Sequence, residues 1–145
     1  RSSLTTMLKD NDLEHIHAIY AVHKEFILDI DRTGSRVICN PPPEDTDDDY
    51  VILTRNKEEF LDRLRGYVWE LGGSLTDESN FFSVKKQRRG FIGGSTLINL
   101  IVTDDPDYYN NWVLATALAK KLNLLKKEDR IAVFQAIVEE NWPEL

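Results

Sequence analysis

Little in this sequence can be crosslinked, inserted into a bilayer or spread over a polyanion. Cys39 is the only cysteine, so an intrachain disulfide is excluded and a reducing compartment fits. As a side chain, Cys39 reads as a small buried hydrophobe at a strand end. No apolar run approaches the roughly 20 residues that a membrane-spanning helix needs, and no signal-peptide pattern is visible. These absences give the expectation of a protein without a membrane segment, located in the cytoplasm. The chain opens on Arg1 rather than methionine, which suggests that native residues precede it. Positive charge is in deficit: 18 Lys and Arg face 25 Asp and Glu, a net charge of -7. A uniform coat for nucleic acid would carry the opposite sign, because phosphate neutralisation supplies most non-specific affinity. Any nucleic-acid contact must then be local.

What is present is an ordinary globular balance over 145 residues, with 41% hydrophobic and 30% charged residues. That length suits one domain, 1–145, able to build its own core. Residues 12–30 carry Leu13, Ile16, Ile19, Tyr20, Phe26, Ile27 and Ile30 near a 3.6-residue period, which predicts an amphipathic helix. Residues 36–39 form a short β-branched run, a predicted strand, and three consecutive prolines (Pro41, Pro42, Pro43) then impose a stiff extended loop. Residues 50–53 are apolar throughout, as in a central strand. Asn56, with Glu59 three residues on, caps a helix whose apolar face is Phe60, Leu61, Leu64, Val68 and Leu71, ending at Gly72-Gly73. Residues 81–85 read as an edge strand and residues 96–103 as the clearest strand of the chain. Pro106 sits at the first turn of a helix reaching about Leu122, and a last helix covers residues 127–141 with Ile131, Phe134, Ile137 and Val138. Strand pairs this close together cannot all be joined by helical crossovers, so the fold class is α+β: a mixed β-sheet with helices packed on it.

The stretch with chemical content is GSRVICNPPPEDTDDDYVIL, residues 34–53. Asp47 and Asp49 are two apart at the start of a strand, so their carboxylates point to the same side. Like charges that close are costly unless a cation neutralises them, and hard carboxylate oxygens suit Mg2+. Gly34 lets a backbone approach a phosphate closely, and the Ser35 hydroxyl and amide can donate to it. These are the parts of a metal-dependent phosphoryl transfer. A plain solvated acidic turn, with Asp45 and Asp48 in the same cluster, is the competing reading.

Gly-Ser, an interval of about a dozen residues, Asp-x-Asp and then an apolar strand resembles the polymerase-beta-type nucleotidyltransferase superfamily, above all its minimal single-domain members. The Pro-rich insert and residues 98–124 look similar to small nucleotidyltransferase-like proteins of bacteriophage genomes. The resemblance implies a nucleotidyltransferase-like core, with Gly34 and Ser35 cradling an NTP and Asp47 and Asp49 binding Mg2+. It also implies transfer of a nucleoside monophosphate to a hydroxyl acceptor: an RNA end, a protein side chain or a small molecule. For a phage protein the location would be the host cytoplasm. Members of the superfamily carry a third carboxylate on a later strand. The aligned position here holds Asn99, with Asp104 at the strand end as the alternative. An amide can coordinate a metal weakly but cannot take a proton, so a nucleotide-binding or partner-binding module with weak transfer is the second expectation. A domain without an additional helical domain can gain its acceptor pocket from a second copy, which makes a homodimer the expected assembly.

The basic stretch Lys85, Lys86, Arg88 and Arg89 stands out in an acidic chain, and Arg88, Arg89 and Arg36 are the candidate phosphate ligands. An ordinary basic loop is the plainer alternative. His15, His17 and His23 have no i, i+4 pair, which argues against zinc. Trp69, Trp112, Trp142, Tyr108 and Tyr109 read as packing residues, whereas Tyr50, next to Asp49, is a candidate to lie beside a bound base.

Overall fold

The computed structural model describes residues 24–43, 47–65, 70–72, 75, 78–87 and 95–140. Most of the helix expected over residues 12–30, with its three histidines, lies outside them, as do Arg88, Arg89, Trp69 and Trp142. The described end of that segment corrects the expectation: Lys24–Phe26 is a 3-10 turn and Ile27–Thr33 is strand β1. The misleading spacing has a physical origin. β1 pairs antiparallel with strand β2 (Asp48–Thr54), and its register slips between Ile27 and Asp29. A bulge of this kind adds one residue, so Ile27 and Ile30, three apart, both enter the same core. A bulged strand thereby imitates a helical period.

Residues 36–39 also differ from expectation. Ser35–Ile38 is a single helical turn, α1, in which the Val37 and Ile38 amides donate to the Gly34 carbonyl and the Cys39 amide to that of Ser35. β-branched residues weakly prefer strands, but burial decides here. The turn places Ile38 and Cys39 against Ala119, all three of them buried. Cys39 is therefore a small buried side chain, at a helix end rather than a strand end.

After β2 come α2 (Lys57–Arg65), β3 (Glu70–Leu71), β4 (Ser79–Gln87), β5 (Ser95–Thr103), α3 (Pro106–Lys121) and α4 (Lys127–Ile137). The helix starts follow from the sequence. Asn56 Oδ1 accepts the Glu59 amide at 3.2 Å, and Asp105 Oδ1 accepts the Asp107 amide at 2.9 Å ahead of Pro106. Leu71, expected in the helix, is instead part of β3.

The sheet order is β1-β2-β5-β4-β3, with β2 and β5 parallel and the other neighbours antiparallel. β4, read as an edge strand, is internal, because β3 pairs with its outer side. The fold is an α+β mixed sheet with helices on both faces. Phe60, Leu61 and Leu64 of α2 cover one face, packing on Ile30, Tyr50, Ile52, Phe82, Leu100 and Val102. Tyr109, Val113 and Ala115 of α3, with Phe134 and Val138, cover Val51 and Ile101 on the other. Thr33 and Thr116 hydroxyls lie 2.7 Å apart and tie α3 to the end of β1. Among the described residues no helix is long and apolar enough to cross a membrane.

Candidate functional site

Alternation along β2 sorts three neighbouring aspartates onto opposite sides of the sheet. Asp48 enters the α2 side, 2% exposed. Its Oδ2 accepts the Tyr50 hydroxyl at 2.7 Å, and its Oδ1 lies 3.7 Å from Arg32 Nη2 and 3.9 Å from Arg36 Nε. Burial, followed by the Asp48 charge, holds the Tyr50 phenol proton on far above its usual range. Tyr50 is fully buried and belongs to this network, which leaves no face for the base once considered for it. Arg36, expected to meet phosphate, is placed with Asp48 and does not line the cavity described next.

Asp47 and Asp49 project to the α3–α4 side. The parallel register puts Asn99 of β5 directly beside Asp49. Asn99 Nδ2 donates to Asp49 Oδ1 at 2.7 Å and to Asp47 Oδ2 at 3.2 Å, so one amide gathers both carboxylates. Gly34 stands against the same group. Its φ is 81°, and a Cβ built there would lie 2.1 Å from Asp49 Oδ2. Only glycine meets both the backbone conformation and the close approach. The Asp49 carboxyl is pushed up to about 6, chiefly by burial, which the Asn99 hydrogen bond opposes and the charges of Asp47 and Asp48 reinforce.

These residues open into a cavity of about 630 Å3. Thr33, Gly34, Ser35, Asp47 and Asp49 form one wall, while Lys127 and Arg130 of α4 stand on another. Ile38, Pro43, Trp112, Ile131 and Phe134 supply apolar lining. Trp112 and Phe134 rings are 4.9 Å apart, so the aromatic packing expected of Trp112 also forms part of the cavity. Arg130 Nη1 donates to the Leu124 and Leu125 carbonyls at 3.0 and 2.8 Å and to Cys39 Sγ at 3.2 Å. That fixes its guanidinium between α4 and the end of α1. Lys127 is exposed and has no ion pair among the described residues.

The fold thus brings together Gly34, Ser35, Asp47, Asp49 and Asn99 and adds two cations that sequence reasoning missed. Their signal was available: residues 127, 130, 131 and 134 follow i, i+3, i+4, i+7, which is one helix face. Ile131 and Phe134 were assigned to that face for packing, and the cations between them were overlooked. Two carboxylates with an amide donor, in one cavity with two cations, can hold one divalent cation and a polyphosphate. Among the described residues no three His, Cys, Asp or Glu side chains group to hold a metal. The donor set therefore fits a cation completed by ligand and water oxygens, as Mg2+ sites commonly are.

No protein-family model and no curated protein matches the chain. Among solved structures, the chain is similar to the crystal structure of the Cid1 poly(U) polymerase, with 12% identity and a TM-score of 0.43. The match covers 80% of this chain and 43% of that one, so the chain spans less than half the length of that relative.

Proposed function

We propose that the chain is a Mg2+-dependent nucleotidyltransferase that moves a nucleoside monophosphate from an NTP to a hydroxyl acceptor. The observation that carries this reading is the cavity itself, which is lined by the Gly34–Ser35 turn and the Asp47/Asp49 pair together with Lys127 and Arg130. Its volume lies within the range of small-ligand sites, on the order of 300–1,000 Å3. Asp47 and Asp49 are the residues to hold Mg2+, which when bound supplies neutralisation of phosphate charge. Ser35 orients the phosphate chain from the carboxylate side. Lys127 and Arg130 place positive charge in the same cavity, available to negative charge that develops as pyrophosphate leaves. Arg130 is held by two carbonyls, so its guanidinium needs little reorganisation to meet the ligand. Ile131, Phe134 and Trp112 give the cavity an apolar portion. The acceptor reading stays as broad as the sequence made it: an RNA end, a protein side chain or a small molecule. A second copy of the chain is the reading for how the acceptor site is completed.

A second reading, nucleotide binding with little transfer, is favoured by one contact. Asn99 presents an amide N–H to the carboxylates where a third carboxylate would otherwise accept a proton. Calorimetric titration of each NTP with and without Mg2+, on this chain and on Asp47→Asn/Asp49→Asn, tests the site. Metal-dependent binding lost in the double variant supports it, and labelled NTP then separates transfer from binding alone. Absence of binding to the unsubstituted chain at millimolar NTP would sink the proposal.

A further inference from the structure

Asn99 does more than vacate a carboxylate position. Asn99 is 6% exposed, and its Nδ2 donates to carboxylate oxygens at 2.7 and 3.2 Å. Two negative groups facing one amide fix which end points at them. The nitrogen does, because the amide oxygen there would set a third acceptor against two carboxylate oxygens. The nitrogen has no lone pair to give a metal, and rotating the amide would strip Asp47 and Asp49 of their shared donor. Asn99 therefore cannot be a ligand between them while the clamp is made. Among the described residues, the carboxylates lining the cavity on this side are Asp47 and Asp49. Asp48, the nearest further carboxylate in the chain, faces the other side and is engaged by Arg32, Arg36 and Tyr50.

We infer that Asn99 is a positioning residue that clamps Asp47 and Asp49 and limits the site to a single divalent cation per bound nucleotide. This rests on the nucleotide reading above and adds the stoichiometry and the reason for it. Replacing the amide by a carboxylate restores a third anionic ligand at the same register position beside Asp49 and should admit a second cation.

The test counts bound Mn2+ by the loss of its free-ion paramagnetic resonance signal, with the full chain saturated by α,β-methylene-ATP. The expected result is one Mn2+ per bound nucleotide for the unsubstituted chain and two for Asn99→Asp. For Asn99→Ala we expect one, with Mn2+ affinity lowered about tenfold, as for loss of an outer-shell partner. Two Mn2+ in the unsubstituted chain, one in Asn99→Asp, or undiminished affinity in Asn99→Ala overturns the inference. Each of those results leaves Mn2+-dependent nucleotide binding, and so the nucleotide reading, in place. Failure of every form to bind nucleotide with Mn2+ defeats that reading and the inference together. Should Asn99→Asp not fold, the Asn99→Ala affinity decides.

Discussion

Asp48 and Asp49 are adjacent on one strand, yet the sheet gives them opposite electrostatic settings. On the α2 side, Asp48 is buried, accepts a tyrosine hydroxyl and has the guanidinium groups of Arg32 and Arg36 within 3.7 and 3.9 Å. On the α3–α4 side, Asp49 lies beside a second carboxylate, accepts the Asn99 amide and opens onto a cavity. The difference teaches that burial alone does not make a functional carboxylate. A buried carboxylate with guanidinium groups nearby keeps its charge, whereas a buried carboxylate beside a like charge holds its proton more tightly.

The largest effect expected from breaking this comparison is at Asp48. Asp48→Ala leaves Arg32 and Arg36 facing an apolar hole, and loss of one partner of such a buried pair costs about 3–5 kcal/mol. Urea denaturation should show the midpoint falling by a corresponding amount, while Asp49→Asn in metal-free buffer should not destabilise. Equal losses for the two would erase the distinction.

The next effect is in pH. The folded Asp49 carboxyl is raised from 3.8 to about 6, so the folded chain binds this proton more tightly than the unfolded one. The contribution is fully present below pH 4 and is lost as pH rises through 6, by an amount on the order of 3 kcal/mol. The stability of the unsubstituted chain minus that of Asp49→Asn, measured without metal from pH 4 to 7, should therefore fall with pH. Added Mg2+ should recover stability at pH 7 and have little effect at pH 4, where the carboxyl is protonated. A flat difference would show that Asp49 is not held as the site requires.

The smallest effect sharpens the comparison from the cavity's other wall. Lys127 is exposed, so Lys127→Ala should leave thermal stability unchanged while weakening Mg2+-NTP binding about tenfold, or roughly 1.4 kcal/mol. Calorimetry with the variant in parallel checks both. Unaltered affinity would remove Lys127 from the phosphate site.

Legibility from the sequence followed the range of the physics. Asn56 and Glu59, Asp105 and Pro106, and the apolar runs of β2 and β5 act over a few residues, and the elements they announce are present. β1 was misread because a bulge placed Ile27 and Ile30 on one face at a helix-like spacing. α1 was misread because the β-branched pair Val37-Ile38 carried the propensity, while burial of Ile38 against Ala119 decided the conformation. Arg36 looked like a phosphate ligand from its place beside Ser35, and only the fold turned it toward Asp48.

By itself the sequence determined that Asp47 and Asp49 share a side, because alternation on a strand is a local property of the backbone. It also determined that a Gly-Ser turn precedes them. Tertiary structure alone decided that Asn99, 50 residues from Asp49, reaches both carboxylates, and that Lys127 and Arg130 line the same cavity. The reason is that opposite walls of a cavity come from segments brought together by packing of the whole sheet and its helices. No periodicity within one segment records which distant segment it will face.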